Sequence, residues 1–313
     1  MSETYLVTGS TGFIGSCITR ELVRQKKHVS IIVRNKSLNW RLKEISSYLN
    51  IYECNLLSQS LEDVVERIKP TYIFHLASYG SLPRENDIER MLDINIKGTL
   101  NLINAVKKNK FKLFINAGSS SEYGIKNNKM KESDILEPIN DYGVTKATST
   151  LFCQKIAMME SLPIITFRLF SPYGYFEEKS RLVPSVILNA LNNDEINVSS
   201  PDHVRDFIFI EDVANAYLSS LHCNFPHGAI INIGSGKQHS VAEVVNIILQ
   251  LTKSGSKVNF GRVKRQERQV EPKVWEADIT KAVKVLQWKP KNSLEEGLAK
   301  TVEWFRLNKR LYE

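Results

Sequence analysis

The stretch VTGSTGFIG, residues 7–15, joins an apolar run, YLVTG (5–9), to a segment in which Ile14, Ile18, Leu22 and Val23 share one helical face. Gly9, Gly12 and Gly15 fall where the chain must turn from strand to helix. Glycines allow the tight turn and let backbone N–H groups approach a phosphate, which the positive end of the helix stabilises. The same alternation continues downstream. Further apolar runs lie at HVSIIVR (28–34), NIYECNL (50–56), TYIFHLA (71–77), KLFINAG (112–118) and PIITFRLF (163–170). Between the third and fourth, Leu61, Val64, Val65 and Ile68 share a helical face, with Ser60 as expected N-cap, Asp63 three residues on and Pro70 as the stop. Six strands alternating with helices predict an α/β fold, a Rossmann-type doubly wound parallel sheet over 1–170.

Beyond residue 170 the alternation loosens. DFIFIEDVANAYLSSL reads as strand then helix, with Asp212 as expected N-cap, and AIINIGSG as strand then turn. We expect a smaller mixed α/β substrate lobe over 171–203 and 234–313, with 204–233 returning to the first domain. The cleft between two such lobes is the expected active site.

With 313 residues, 42% hydrophobic and 24% charged, the chain has ample material for a globular enzyme core. It contains no apolar run of about 18 residues, and the N-terminus lacks a basic, then apolar, leader, so no membrane association is expected. The net charge of +8 comes from dispersed residues, and the basic cluster VKRQER (263–268) is short. A phosphorylated small ligand accounts for that sign, and nucleic acid is not expected as a partner. Cys17, Cys54, Cys153 and Cys223 are isolated, which suits a reducing cytoplasm and suggests neither a metal site nor a disulfide framework.

Cofactor choice is read at the end of the second strand. An acid there bonds a ribose 2′-hydroxyl, whereas an arginine suits a 2′-phosphate. Here the strand ends Val33-Arg34-Asn35, so the expectation is NADP(H), with NAD as the alternative if Arg34 is a solvated loop residue. Catalysis is read from DYGVTK, where Tyr142 and Lys146 stand at Y-x-x-x-K spacing on one helical face. A nearby ammonium favours the ionised form of a phenol, which otherwise titrates near ~10. Just past the fifth strand come Ser119, Ser120 and Ser121, at a position where a doubly wound sheet faces its ligand. A hydroxyl at Ser119 can hold the same substrate oxygen as Tyr142, or it can simply cap the strand.

Taken in order, TGSTGFIG, HLAS, DINIKGTLNLI, NAGSSSEYG, YGVTK, RLFSPYG, VRDFIFIEDVANAY and NIGSG resemble the extended short-chain dehydrogenase/reductases, in their nucleotide-sugar branch, the NAD(P)-dependent epimerase/dehydratase family. The resemblance runs from residue 4 to about 300. It implies a catalytic trio of Ser119, Tyr142 and Lys146, the serine lying four before the Tyr123-Gly124 pair. It implies cofactor contacts from Gly9, Thr11, Gly12, Phe13, Ile14 and Gly15 in the turn. Arg34, Asn55, Leu56, Leu76, Ala77 and Ser78 follow at later strand ends, with Tyr142 and Lys146 against the nicotinamide half. Asn55 stands where the family commonly has Asp against the adenine. Asn95 corresponds to a residue organising a buried water near the lysine, or else is a helix-surface asparagine.

On the substrate side the resemblance implies Arg205 and Arg268 at a diphosphate, unless both are ordinary surface arginines. Tyr79, Ser120, Ser121, Ser171 and Arg181 would complete the site, Ser171 replacing the asparagine frequent in epimerases. Dehydratases of this family carry acids where Ser120 and Ser121 stand, and Glu122 is one residue out of register, so dehydration is not expected. His75 is expected to be a packed histidine. HLASYGS, VRDFIFIEDVANAYL and NFGRVKRQERQVE are most similar to reductases making CDP-paratose and CDP-abequose. The expected function is therefore NADPH-dependent reduction of the 4-keto group of a nucleotide-diphosphate (deoxy)sugar. The alternative is a nucleotide-sugar 4-epimerase with tightly bound NAD. The family resemblance also implies a homodimer.

Overall fold

The structure is a computed structural model that describes residues 3–35, 40–263 and 272–313. Its central element is a seven-stranded sheet. The strands are β1 (Thr4–Thr8), β2 (His28–Val33), β3 (Leu49–Glu53), β4 (Tyr72–His75), β5 (Leu113–Ser119), β6 (Ile164–Leu169) and β7 (Ile230–Ile233). They lie in the order 3-2-1-4-5-6-7. The pairs β1–β2, β2–β3, β1–β4, β4–β5 and β5–β6 are all parallel. β4, β5 and β6 are buried at every position, because helices cover both faces of a parallel sheet and no face is left to water. The strand order reverses between β1 and β4, which in such sheets opens a ligand crevice beyond the carboxyl ends.

The longer helices of this unit include α1 (Phe13–Arg24), α2 (Leu61–Ile68), α3 (Gly98–Val106) and α4 (Asp141–Met159). α2 and α3 bury Leu61, Val64, Val65, Ile68, Leu102, Ile103 and Val106 with Leu6, Ile73, Phe114 and Ile164 of the sheet in one apolar cluster. α2 ends at Ile68, and Lys69 turns into the left-handed region with φ 47° ahead of Pro70. Ser60 does not cap this helix as expected. Its hydroxyl is drawn instead to Ser58 at 2.8 Å and to the Cys54 thiol.

By its internal contacts the chain divides into two units. The first comprises Met1–Gly124, Glu132–Leu169 and Tyr217–Asn232, and the second Ile125–Lys131, Phe170–Ala216 and Ile233–Glu313. The segment that returns to the first unit by these contacts is Tyr217–Asn232. The intervening strand Phe207–Phe209 pairs with Ser171–Tyr173, inside the second unit. That unit packs helices Leu182–Asn192, Val241–Thr252 and Leu294–Asn308 against one another, burying Val186, Ile187, Val244, Ile248, Leu298 and Phe305. Asp212 lies inside the first turn of helix Ile210–Ser219 and is not its N-cap. Its carboxylate accepts from the backbone N–H groups of Lys291 (2.8 Å) and Asn292 (3.2 Å), tying down the approach to the last long helix.

Candidate active site

The site of the first unit is assembled at the carboxyl ends of β1, β4 and β5. Gly9 follows β1 with φ 68°, and a Cβ there would lie 2.5 Å from the Ala77 backbone nitrogen. That contact is why the turn needs glycine, and it brings Leu76 and Ala77 against the loop. Gly12 bonds back to Gly9 at 3.0 Å and starts α1, whose first turn has no side-chain cap. Gly12 is exposed, so the uncapped N–H groups of Phe13 and Ile14 are offered to an anion. These features fit the diphosphate of a dinucleotide. Arg34 is exposed at the end of β2, with no carboxylate in Val33-Arg34-Asn35. Asn55 is exposed, but its carboxamide oxygen accepts from Leu57 N–H at 3.0 Å, so the amide nitrogen is the part left to reach a base. Leu56 is half-buried and Ser78 exposed.

His75 ends β4 and is 2% exposed, bonded to Thr8 Oγ1 at 2.7 Å and Thr99 Oγ1 at 2.9 Å. Thr99 already donates to the Asn95 carbonyl, so it accepts from His75, whose Nε2 carries the proton while Nδ1 accepts from Thr8. Burial, with the Lys146 charge adding to it, pushes this imidazole down to about 3. It is a neutral packing histidine, as the sequence suggested.

Asn95 sits in a π-helical turn, Leu92–Lys97, just before α3, and is 1% exposed rather than on the helix surface. Its carboxamide accepts from Tyr79 N–H (2.9 Å) and donates to Tyr79 O (2.8 Å) and Thr145 Oγ1 (2.9 Å). Thr145 in turn donates to the Tyr142 carbonyl. One buried amide thus fixes both the loop after β4 and the first turns of α4. The ring of Tyr79 is half-buried beneath the Arg90 guanidinium, 4.5 Å from its centroid.

α4 opens on Asn140, whose side chain accepts from Gly143 N–H at 2.7 Å, and it carries Tyr142, half-buried, and Lys146, 4% exposed. A Cβ on Gly143 would stand 2.5 Å from the Ser121 carbonyl oxygen. Glycine at this position therefore brings the start of α4 against the turn after β5, where the serines lie. Sequence reasoning passed over Gly143, although a Tyr-Gly pair in the first turn of a helix is a signal of close approach.

Ser119 closes β5 and caps a short 3₁₀ turn, Ser120–Glu122. Its Oγ accepts from Ser121 N–H (3.1 Å) and its own N–H donates to Glu122 Oε1 (2.8 Å). The serine is thus a cap, and the capping bond uses an oxygen lone pair, leaving the hydroxyl proton to donate. Ser120 is buried and Ser121 half-buried.

Glu122 is wholly buried and is the residue whose importance the sequence did not reveal. Oε1 accepts from Ser119 and from Thr150 Oγ1 (3.0 Å), while Oε2 pairs with Arg168 Nε at 2.7 Å. The Arg168 guanidinium lies over the Tyr123 ring, 4.6 Å from its centroid, and the Tyr123 hydroxyl donates to Asn232 at 2.6 Å. Burial pushes the Glu122 carboxyl up, opposed by Arg168. Every partner named here donates to it, which suits the carboxylate form. Turned into the core, Glu122 is not placed to remove water from a sugar. Lys146 is pushed down by burial, with Glu122 opposing the shift.

In the second unit, Arg205 is half-buried, donates to the Val204 carbonyl at 2.6 Å and stacks over Trp275, 5.1 Å from the ring centroid. Its neighbour Asp206 is fully buried and accepts from Ser235 N–H, Ser235 Oγ, Gly236 N–H and Ala277 N–H at 2.6–3.0 Å. Burial raises Asp206 to about 6. This cage explains why the NIGSG loop and the VRD segment come together. Ser171 is half-buried and Arg181 exposed at the start of helix Leu182–Asn192. Nearby, Glu177 is 5% exposed, its Oε2 has no hydrogen-bond partner among the described residues, and burial pushes its carboxyl up to about 8. Arg268 lies outside the described residues. Among the described residues no cluster of three His, Cys, Asp or Glu suits a metal, and no helix is long and apolar enough to cross a membrane.

Residues 5–234 match the model of the NAD dependent epimerase/dehydratase family. The chain belongs to that family. Its curated relatives include an uncharacterized UDP-glucose epimerase of Bacillus subtilis, 28% identical over 96% of both chains. The dTDP-4-dehydro-6-deoxyglucose reductase of Escherichia coli is also 28% identical, over 96% of this chain and 97% of the relative. Among solved structures, the UDP-glucuronic acid 4-epimerase of Bacillus cereus, in complex with UDP-glucuronic acid and NAD, superposes with a TM-score of 0.85 at 25% identity. The match covers 97% of this chain and 99% of that one. The chain is accordingly an enzyme of the NAD dependent epimerase/dehydratase family, with oxidoreductase-type chemistry.

Proposed function

We propose that the enzyme reduces the 4-keto group of a nucleotide-diphosphate sugar with NADPH. The observation that carries the direction and the cofactor is the end of β2, where an exposed Arg34 replaces the acid expected of an NAD site. The full-length similarity to the E. coli reductase supports the same reading. Bound NADPH supplies the hydride. Tyr142 gives its phenol proton to the C4 oxygen, and Ser119, with a lone pair committed to Ser121, donates a hydrogen bond to the same oxygen and keeps its own proton. Lys146 holds an ammonium one helical turn from Tyr142, favouring the phenolate left behind. Arg205, stacked on Trp275, is read as a partner of the diphosphate, for which a guanidinium group is suited.

The second reading, a 4-epimerase holding NAD, is favoured by the similarity to the B. subtilis and B. cereus proteins. Ser119, Tyr142 and Lys146 serve either reaction, since both pass hydride at a carbinol carbon. Denaturing the purified protein and identifying any dinucleotide released separates the two. Stoichiometric NAD freed only on unfolding establishes the epimerase. An empty protein that binds NADPH exchangeably and oxidises it with a 4-keto nucleotide sugar establishes the reductase. We further read the assembly as a cytoplasmic homodimer. Val144, Leu151, Phe152 and Met158 form an exposed apolar stripe along α4 that a second copy would cover, and no disulfide joins any of the four cysteines. Light scattering of the purified protein tests it, and a monomer at micromolar concentration refutes it.

A further inference from the structure

We propose that Glu122 is a positioning residue of the active site: its carboxylate holds Ser119 in place at the end of β5 and supplies the negative charge that faces Lys146. The inference rests on the reading of Ser119, Tyr142 and Lys146 as the reacting trio. Three elements converge on this one carboxylate. From β5 comes the Ser119 N–H at 2.8 Å, from α4 the Thr150 hydroxyl at 3.0 Å, and from β6 the Arg168 guanidinium at 2.7 Å. The closeness is built in on the strand side as well, since a Cβ on Gly118 would lie 2.6 Å from Glu122 Oε1. Glu122 therefore ties the strand bearing the serine to the helix bearing the tyrosine and lysine.

The charge argument follows from what else faces Lys146. Glu122 in the turn after β5, Cys153 in α4 and His75 in β4 are the groups whose charge states are coupled to that of Lys146. Cys153 remains a thiol, pushed up to about 12, and His75 remains neutral, so Glu122 is the charged group of the three. On its far side Glu122 meets Arg168, which also covers the Tyr123 ring. A buried lysine tends to lose its proton, and a buried carboxylate beside it opposes that loss. Without Glu122, Lys146 would become neutral at lower pH, and Tyr142 would lose the cation that favours its phenolate.

The test compares Glu122→Gln and Glu122→Asp with the wild-type protein. Lys146 is followed in unliganded protein by the Cε resonance of ¹³C-labelled lysine, assigned with Lys146→Arg, and turnover is followed as a kcat/KM–pH profile. Gln keeps an acceptor for Ser119 but removes the charge. We expect Lys146 to titrate about one pH unit or more lower, with the alkaline limb of the profile moving equally. Asp keeps the charge but falls short of Ser119. There the limb stays and kcat drops at least about tenfold at unchanged KM. Glu122→Gln leaves Arg168 uncompensated, so Glu122→Gln/Arg168→Met repeats the measurement if the single variant does not fold. An unmoved Lys146 titration and limb in a folded Gln variant overturns the proposal. So does failure of all three variants to fold, which makes Glu122 a purely structural residue. Full activity of Tyr142→Phe, by contrast, refutes the trio itself, whatever Glu122 does.

Discussion

Gly143→Ala isolates the role of close packing between α4 and the serine turn. The added Cβ would sit 2.5 Å from the Ser121 carbonyl oxygen, where ordinary contact begins at 3.4 Å, so the two must part by about 0.9 Å. Because Ser121 O is backbone, no side-chain rotation relieves the clash. Pro138 at 3.1 Å and the Asn140 cap oxygen at 3.2 Å close the other directions. Stability should change little. Overpacking costs about 1–3 kcal/mol, and the greater helix propensity of Ala over Gly returns about 1 kcal/mol. Geometry should suffer far more, since displacement of reacting groups by about 1 Å lowers turnover on the order of 100-fold. The assay is a urea melt beside steady-state turnover of the nucleotide sugar that the cofactor experiment selects. The expected result is a midpoint near wild type with kcat down by roughly two orders of magnitude and dinucleotide affinity retained. A folded Ala variant with wild-type kcat would show that the start of α4 need not touch the serine turn, and the reasoning fails.

Three further outcomes are expected. Tyr142→Phe should leave dinucleotide binding intact, measured by fluorescence titration, while turnover falls about 10²- to 10⁴-fold; near-normal turnover removes the phenol from the reaction. Arg34→Ala should cut the preference for NADPH over NADH by about tenfold, the scale of one charge-assisted contact, and an unchanged ratio of dissociation constants makes Arg34 a surface residue. Glu177→Gln concerns pH: the buried carboxyl is raised to about 8 in the folded chain, above its unfolded value, so the wild-type protein loses stability as pH rises from the unfolded value through 8. Relative to the Gln variant that loss is on the order of 2 kcal/mol between pH 6 and 9, and parallel pH dependence in urea melts of the two proteins would contradict it.

Much of the candidate site was legible because its residues stand beside features with local rules. The glycine turn follows the first apolar run, Tyr142 and Lys146 share a helical face, and Ser119 ends a strand. The errors occurred where a short polar side chain could choose between a local and a distant partner. Ser60 had the spacing of a helix cap but turns to Ser58 and Cys54, and Asp212 looked like a cap but reaches residues 291 and 292. Glu122 appeared only as an acid one residue out of register, because its determining partner, Arg168, lies 46 residues away on another strand. Asn95 was ambiguous for the same reason, its amide being satisfied by Tyr79 and Thr145.

The sequence by itself determined the order of the strands along the chain, the glycine turn after the first of them and the spacing that puts Tyr142 and Lys146 on one helical face. Each of these follows from periodicity or from a few neighbouring residues acting through the backbone. Only the tertiary structure decided which polar groups are buried and what satisfies them: Glu122 between Ser119 and Arg168, Asp206 inside its cage, His75 as a neutral imidazole. A buried charge is tolerable only with its partners in place, and those partners come from strands and loops whose meeting is a property of the folded chain, not of any window of sequence.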